Sequence, residues 1–222
     1  MNVKEACAKR AFDMIEEGMT VGLGGGSTVA LLIKKIGAEG KRITAVTPSQ
    51  DTYDLCREHH IAMVPISDVS EIEVAFDGCD EVDVSLNALK SCGGIHVREK
   101  LVAAMAKEYV LLADEDKFFD VLPFHYPVTM EVLRPAKSYV CRVLEGYGVK
   151  VKPRRGGGKT GIVISDDGNY IMEAVFPKGT STGEQNRILD GTQGVVGHGI
   201  FHGLASKAII ARKDGVHIVA RG

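Results

Sequence analysis

Short apolar segments alternate with longer helix-type segments through the first half of the chain, and this alternation constrains the fold more than any other feature. The pattern predicts strands at residues 20–23, 43–46, 61–65, 74–77 and 110–113. It predicts helices at residues 3–17, 27–36 and 49–59, and one that begins near Arg98. Strands that alternate with helices in this way are typical of βαβ units. We therefore expect an α/β fold with a mostly parallel main sheet and helices on both of its faces.

The second half of the chain has a different texture. Pro, Phe, His and Tyr cluster at residues 123–135, and a predicted helix at 136–147 follows. Further elements are predicted as strands at 149–153, 162–165, 170–174 and 195–201 and as a helix at 183–189. Two strands around a turn, 208–212 and 216–219, end the chain. We expect a main domain of residues 1–127 with 204–222, and a small α+β domain of residues 128–203.

Composition argues against several classes of function. The net charge of −2 has none of the clustered basic excess that nucleic-acid binding requires, so no nucleic-acid partner is predicted. No apolar run approaches the roughly 20 residues that span a bilayer, and the first ten residues lack the apolar core of a signal peptide. The five cysteines are scattered and contain no C-x-x-C pair. This pattern favours reduced thiols and a cytoplasmic protein without a disulfide framework or zinc site.

A glycine-rich turn lies between the first predicted strand and the next helix. Its residues Gly25, Gly26, Ser27 and Thr28 offer backbone N–H groups, hydroxyls and a helix N-terminus, which together favour an anion. The segment lacks the Gly-Lys-Ser/Thr of a Walker A loop. It also lacks the third glycine and the acidic residue of a dinucleotide site. A single phosphate is therefore the favoured ligand, and a purely structural βα turn is the alternative.

Acidic residues follow the predicted strand at 74–77. Asp77 and Asp80, with Gly78 and Cys79 between them, lie at the carboxyl end of a strand, where open α/β sheets bind ligands. Carboxylates this close repel one another unless a cation or a hydroxyl-rich ligand lies between them. A divalent cation, a sugar and a solvated turn all remain open on these residues alone.

The segment from Lys90 to Lys100 places a lysine and Glu99 on either side of a Gly-Gly pair. Glu99 lies in the first turn of a predicted helix, where it can act as a base, while Lys90 can stabilise negative charge. Lys117 follows the next predicted strand and is long enough to reach a phosphate or a hydroxyl. A solvated helix start is the alternative interpretation. The histidines, His96, His198 and His202, carry weaker signals, and no metal site is predicted from them.

These segments, in this order, resemble the ribose-5-phosphate isomerase A family along nearly the whole chain. The matching motifs are GLGGGST at residues 22–28, DGCDEVD at 77–83, Lys90 with REK at 98–100, and ADEDK at 113–117. The motifs DGN at 167–169 and GVVGHGIF at 194–201 match as well. The resemblance implies a Rossmann-like main domain and a ferredoxin-like small domain. It also implies reversible isomerisation of ribose 5-phosphate and ribulose 5-phosphate without metal or organic cofactor.

The resemblance also implies roles for individual residues. Glu99 is expected to be the catalytic base, with Asp77 and Lys90 as the other catalytic residues. The expected substrate-binding residues are Gly25, Gly26, Ser27, Thr28, Asp77, Gly78, Cys79, Asp80, Lys90, Ser91, Cys92, Gly93 and Lys117. The partner implied is a small phosphorylated pentose, and the assembly implied is a homodimer or a dimer of dimers.

Some residues depart from the family pattern. The family typically carries a small hydroxyl residue at Gly25 and a glycine run at Ser91 and Cys92, and the segment 131–135 has one extra residue. These departures leave Glu99 and Lys90 intact, so they bear on substrate preference more than on reaction type. One alternative is therefore an isomerase for another phosphorylated aldose. The other alternative is a non-catalytic sugar-phosphate sensor. Regulators of this kind carry a DNA-binding module before the sensor domain, whereas here the first predicted helix already belongs to the main domain.

Overall fold

The computed structural model describes residues 3–90, 92–158 and 160–221. The helices are α1 (Val3–Phe12), α2 (Ser27–Glu39), α3 (Gln50–Glu58), α4 (His96–Met105), α5 (Lys137–Glu145) and α6 (Thr182–Asp190). The strands are β1 (Thr20–Leu23), β2 (Thr44–Val46), β3 (Ala62–Met63), β4 (Ile72–Gly78), β5 (Glu81–Asp83), β6 (Ala88–Leu89), β7 (Ala106–Asp114), β8 (Phe118–Phe119), β9 (Val128–Val132), β10 (Lys150–Pro153), β11 (Tyr170–Val175), β12 (Val195–His198), β13 (Ile200–Phe201), β14 (Lys207–Arg212) and β15 (Gly215–Ala220).

The main sheet has seven strands in the order β15-β14-β7-β4-β1-β2-β3. Every neighbouring pair is parallel except the terminal hairpin of β14 and β15. Residues 74–77 of β4 and 109–113 of β7 are all buried, as expected for central strands that are covered on both faces. Two apolar clusters pack against this sheet. The predicted α/β class with a mostly parallel main sheet is confirmed.

A second sheet, which we call the small sheet, is antiparallel with the order β10-β11-β9-β12. Its core is a third apolar cluster that includes residues of α5 and α6. Strand β9 was not predicted, because it lies in the segment where prolines obscure the alternating pattern. The strand predicted at 162–165 is wrong, since this segment has only two isolated bridges, Arg155 to Ile162 and Ile164 to Tyr170.

A third sheet of short strands, β13-β6-β5-β8, joins distant parts of the chain and was not predicted. The strand predicted at 195–201 breaks at Gly199 into β12 of the small sheet and β13 of this third sheet. Gly199 explains the break, because its N–H donates to the Thr129 carbonyl (2.7 Å) while its carbonyl accepts from the Lys90 N–H (2.8 Å). The third sheet thereby holds the backbone of Lys90 next to the small sheet.

Most helix boundaries differ from the sequence prediction by one or two residues, and α2 runs three residues past its predicted end, to Glu39. Helix α1 ends at Phe12, five residues early, after which Met14 and Ile15 donate to carbonyls three residues back. Gly26 is the residue that precedes α2, and its φ of 100° is readily adopted only by glycine. The small-sheet strands all lie within 128–203, but β13 in that range pairs with β6, so the proposed domain limits stay a prediction. Within the described residues, every helix is too short or too polar to cross a membrane.

Candidate active site

A cavity of about 470 Å³ opens at the carboxyl ends of β1, β2 and β4. Parallel strands end at the same edge of a sheet, and their loops therefore converge on one ligand site. The lining residues are Gly25, Gly26, Ser49, Gln50, Asp51, Gly78, Cys79, Asp80, Lys90, Gly93, Ile95, Glu99, Lys117 and Asp166. Most of the predicted site residues are among them, and the structure brings them together from separate segments of the chain.

Asp77, Lys90 and Glu99 form a buried charged cluster, in which Lys90 and Glu99 line this cavity and Asp77 lies behind them. The Lys90 Nζ lies 2.9 Å from Asp77 Oδ2 and 3.2 Å from Glu99 Oε1. Their side chains are 6 %, 5 % and 10 % exposed for Lys90, Asp77 and Glu99, so water screens these charges weakly. Two carboxylates share one ammonium group, which leaves a proton-accepting oxygen beside a fixed positive charge.

The main sheet holds Asp77 in place. Its Oδ1 accepts from the Gly25 N–H at 3.2 Å, and its Oδ2 accepts from the buried Tyr109 hydroxyl at 3.3 Å. A Cβ atom at Gly24 would overlap the Asp77 carboxylate, so only glycine fits at that position. The close approach of the glycine loop to β4 thus depends on Gly24.

Lys90 and Glu99 come from two elements joined by a short turn. Lys90 follows β6, and its Nζ also donates to the Gly78 carbonyl at 2.5 Å. Glu99 lies in the first turn of α4, which begins at His96 after a turn in which Gly94 has a φ of 75°. We refer to residues 92–95 as the active-site turn. This arrangement brings the Glu99 carboxylate to the Lys90 ammonium, which also contacts Asp77.

Burial decides the protonation of the cluster. Burial raises the pKa of Glu99 to about 7, although the Lys90 ammonium opposes the shift and Asp77 adds to it. Burial acts to lower the pKa of Lys90, but the two neighbouring carboxylates outweigh it and the pKa is raised. A carboxylate with a pKa near neutrality, next to a permanent cation, is suited to take up and return a proton near pH 7.

A smaller cleft of about 60 Å³ adjoins the cavity at the N-terminus of α2. It is lined by Lys4, Gly25, Gly26, Ser27, Thr28, Gly78, Leu112, Asp114 and Lys117. The Lys117 Nζ donates to the Cys79 carbonyl at 2.8 Å, which holds it at the junction of cleft and cavity. Two lysines, two hydroxyls and a helix N-terminus make this cleft suitable for an anion.

Lys4 is a site residue that sequence reasoning missed. It lies on α1, and its Nζ donates to the Ser27 hydroxyl at 3.1 Å and lies 3.7 Å from Asp114 Oδ2. No local motif marks it, because the packing of α1 beside α2 alone brings it to the glycine loop. Ser49, Gln50 and Asp51 were also missed. They reach the cavity because α3 begins at the carboxyl end of β2.

The remaining predicted residues lie around the active-site turn. The Cys92 N–H donates to Asp80 Oδ2 at 3.1 Å, and the Cys92 side chain is exposed. Gly93 lines the cavity. Ser91 lies outside the described residues. Within the described residues, no group of three or more His, Cys, Asp or Glu side chains is arranged to hold a metal ion.

The histidines take structural positions. His96 is 1 % exposed and its Nε2 lies 3.3 Å from the Gly197 carbonyl, while burial lowers its pKa to about 3. His198 is fully buried and its Nε2 lies 2.9 Å from Asp190 Oδ1. Burial also lowers the pKa of His198. These contacts join α4 and α6 to β12 of the small sheet.

The chain is similar to one family throughout its length. A family model described as ribose 5-phosphate isomerase A (phosphoriboisomerase A) matches residues 44–215. The ribose-5-phosphate isomerase A of Pyrococcus horikoshii is 36 % identical, with all of both chains covered. The one from Gluconobacter oxydans is 38 % identical over 97 % of this chain and 96 % of the relative.

Solved structures give the same result. The structure of ribose 5-phosphate isomerase A from Methanocaldococcus jannaschii superposes with a TM-score of 0.90 at 32 % identity, covering 99 % of this chain and 98 % of that one. A structure of D-ribose-5-phosphate isomerase in complex with phospho-erythronic acid superposes with a TM-score of 0.92 at 36 % identity, covering all of both chains.

Proposed function

The chain belongs to the ribose 5-phosphate isomerase A family and interconverts D-ribose 5-phosphate and D-ribulose 5-phosphate, and we propose that Glu99 is the base of this reaction. The observation that carries the role of Glu99 is the buried Asp77–Lys90–Glu99 cluster. Among the described residues that line the cavity, Glu99 is the carboxylate that lies against a buried ammonium group.

The proton transfer follows from the position of Glu99. With the open-chain aldose bound, the Glu99 carboxylate removes the proton from C2, and the electron pair moves toward C1 so that the C1 oxygen gains negative charge. Glu99 then returns the proton to C1, while a proton moves between the two oxygens and the C2 carbonyl forms. General base catalysis of this kind contributes about 10² to 10⁴ in rate.

The developing negative charge needs a positive partner. Lys90 supplies it, since its pKa is raised and it remains an ammonium ion throughout the working pH range. Backbone N–H groups of the active-site turn near Gly93 add hydrogen-bond donors. Asp77, 2.9 Å from the same ammonium, assists proton movement between the sugar oxygens, including during opening of the furanose ring.

The smaller cleft is the proposed site for the phosphate. Ser27, Thr28 and the α2 N-terminus supply hydroxyl and N–H donors, and Lys4 and Lys117 supply positive charge. Binding energy from this remote group orients C1 and C2 against Glu99. The proposed sugar contacts between these two ends are Gly78, Cys79 and Asp80, which line the cavity. Cys92 is proposed on the family pattern alone. Ser91 is proposed to contribute as well, on the family pattern alone.

Replacement of the base tests this proposal. We expect Glu99→Gln to lower kcat by about 10²- to 10⁴-fold in a coupled ribose 5-phosphate assay, with KM changed little, because the amide keeps the shape and loses the proton acceptor. Glu145→Gln, an exposed change on α5, is the matched control and should keep full activity. Full activity of Glu99→Gln would contradict the assignment.

A panel of aldose phosphates tests the substrate. Gly25 has open space around it, since no atom of the described residues other than its chain neighbours lies within 4 Å of the point that a Cβ would occupy. The missing hydroxyl therefore leaves room on that side of the site. We propose ribose 5-phosphate as the preferred substrate because the catalytic cluster is intact. Faster turnover of another phosphorylated aldose would favour the alternative. The same assay with a chelator should show unchanged activity, since no proposed step uses a metal.

We also propose a homodimer or a dimer of dimers in the cytoplasm. The family resemblance supports the assembly, as do exposed apolar residues such as Val121 (69 %), Tyr147 (55 %) and Val175 (47 %). The five free, scattered cysteines support the location. Light scattering coupled to size-exclusion chromatography checks the first proposal, with two or four times the 23.8 kDa chain mass as the expected result. Cell fractionation checks the second, and recovery in the membrane fraction would contradict it.

A further inference from the structure

Arg154 reaches from the small sheet to the active-site turn without lining the cavity. It follows β10, and its side chain is 19 % exposed. Its Nε donates to Glu173 at 2.9 Å and its NH2 group donates to the Thr129 hydroxyl at 2.6 Å. Its NH1 group donates to the Cys92 carbonyl at 3.3 Å. The contacts with Glu173 and Thr129 therefore anchor the guanidinium in the small sheet, and the contact with Cys92 extends to the active-site turn.

The contact with the Cys92 carbonyl sets the orientation of the next N–H group. The Cys92–Gly93 peptide is trans, so the Gly93 N–H points away from the carbonyl that faces Arg154. Gly93 lines the cavity, and no acceptor in the described part of the chain takes its N–H. A charged donor on the carbonyl also polarises the peptide and strengthens the N–H as a donor.

The active-site turn needs such external contacts. Gly93 and Gly94 have no side chains to restrict the backbone, and Gly94 adopts a φ of 75°. Cys92 is held on both sides, since its N–H donates to Asp80 Oδ2 at 3.1 Å and its carbonyl accepts from Arg154. Thr129, one anchor of Arg154, also accepts the Gly199 N–H, and Gly199 accepts the Lys90 N–H. Arg154 and Lys90 thus share one hydrogen-bonded frame.

We propose that Arg154 is a positioning residue for the isomerase reaction, which orients and polarises the Cys92–Gly93 peptide so that the Gly93 N–H donates to the substrate oxygen that becomes negative in the enediolate. This inference rests on the proposed function. Arg154 itself makes and breaks no bond, and the proton moves through Glu99. The small sheet therefore contributes to transition-state stabilisation as well as to the fold.

Steady-state kinetics of Arg154 variants test the proposal. We expect Arg154→Gln to lower kcat about tenfold and to change KM less than about twofold, because the Gly93 N–H matters most when the oxygen is charged. Arg154→Lys keeps the positive charge but loses the planar guanidinium that bonds to several acceptors at once. Its kcat should therefore fall between those of Arg154→Gln and the wild type. Arg155→Gln, at the exposed neighbouring position, is the matched control and should behave as wild type.

A pair of ligands separates positioning from a general structural defect. Phospho-erythronate carries a carboxylate at the end where the enediolate would be, and erythritol 4-phosphate carries a neutral hydroxymethyl group there. Measured by calorimetry, Arg154→Gln should weaken the binding of phospho-erythronate about tenfold and that of erythritol 4-phosphate less than about twofold. Glu173→Gln keeps Arg154 but weakens one of its contacts, so it should give a smaller loss of affinity for phospho-erythronate. This variant keeps the proposal testable if Arg154→Gln folds poorly.

The outcomes distinguish this proposal from the proposed function. Equal weakening of the binding of both ligands, or an unchanged kcat in Arg154→Gln, would overturn the role of Arg154. The isomerase assignment would remain intact as long as the wild type is active. An inactive wild type with an active family relative as the positive control would instead overturn the proposed function. In that case the ligand pair still decides whether Arg154 favours a negative charge next to Gly93.

Discussion

Glu99 combines two properties that a proton-transferring carboxylate needs. It is buried, which raises its pKa to about 7, and it lies 3.2 Å from the Lys90 ammonium, which stabilises its ionised form. Without Lys90 the carboxyl group would hold its proton more tightly, and without burial it would be a weaker base. Lys90 therefore has two roles in the proposed reaction, since it lowers the pKa of Glu99 and would stabilise the negative charge that develops on the substrate.

The pKa of Glu99 predicts the pH dependence of the reaction. The carboxylate acts as a base only when it is deprotonated, so kcat/KM should rise about tenfold per pH unit on the acid side and level off above the pKa near 7. Initial rates from about pH 5.5 to about pH 8.5, with ribose 5-phosphate well below KM, measure this profile. A rate that stays constant down to the acid end of this range would show that another group is the base.

At the level of elements, the loop between β1 and α2 depends on two adjacent glycines in different ways. Gly24 leaves no room for a Cβ because it contacts the Asp77 carboxylate, whereas Gly25 has open space around it. We expect Gly24→Ala to lower the free energy of unfolding by about 1–3 kcal/mol, since Asp77 or the loop must shift. Gly25→Ala should change it by less than about 0.5 kcal/mol.

Urea denaturation of the two alanine variants measures both effects. Equal stability of Gly24→Ala and Gly25→Ala would show that the loop relaxes freely and that Asp77 is not held by it. A displaced Asp77 should also loosen Lys90, because their charged atoms are 2.9 Å apart. A larger loss of kcat in Gly24→Ala than in Gly25→Ala would therefore accompany its loss of stability.

At the scale of the whole molecule, the cavity draws residues from several layers. Gly25 belongs to a loop of the main sheet, Lys90 follows a strand of the third sheet, and Asp166 comes from the loop that precedes β11 of the small sheet. Arg98, next to the proposed base Glu99, also contacts that loop, with its NH2 group 2.6 Å from Asp167 Oδ1. A ligand in the cavity therefore touches segments that separate on unfolding.

Ligand binding should consequently stabilise the entire chain. At about 100 times its Kd, phospho-erythronate should add about 2.7 kcal/mol to the free energy of unfolding and raise Tm by about 5–10 °C. Differential scanning calorimetry measures this shift, with sodium chloride at the same ionic strength as the control for ionic effects. A Tm that does not change at saturating ligand would contradict the proposed site. Glu99→Gln should keep the shift, because the base is not needed for binding.

The sequence by itself determined the parallel main sheet, the glycine loop and the identity of the buried cluster, because local periodicity and ordered motifs encode them. Asp77, Lys90 and Glu99 were predicted, and the structure places their charged groups within contact distance. Tertiary structure alone decided the third sheet, the arrival of Lys4 beside Ser27 and the reach of Arg154 to the Cys92 carbonyl. These features depend on pairing and packing between residues far apart in the chain. Very short strands and single side chains leave no periodic pattern in the sequence from which such contacts could be predicted.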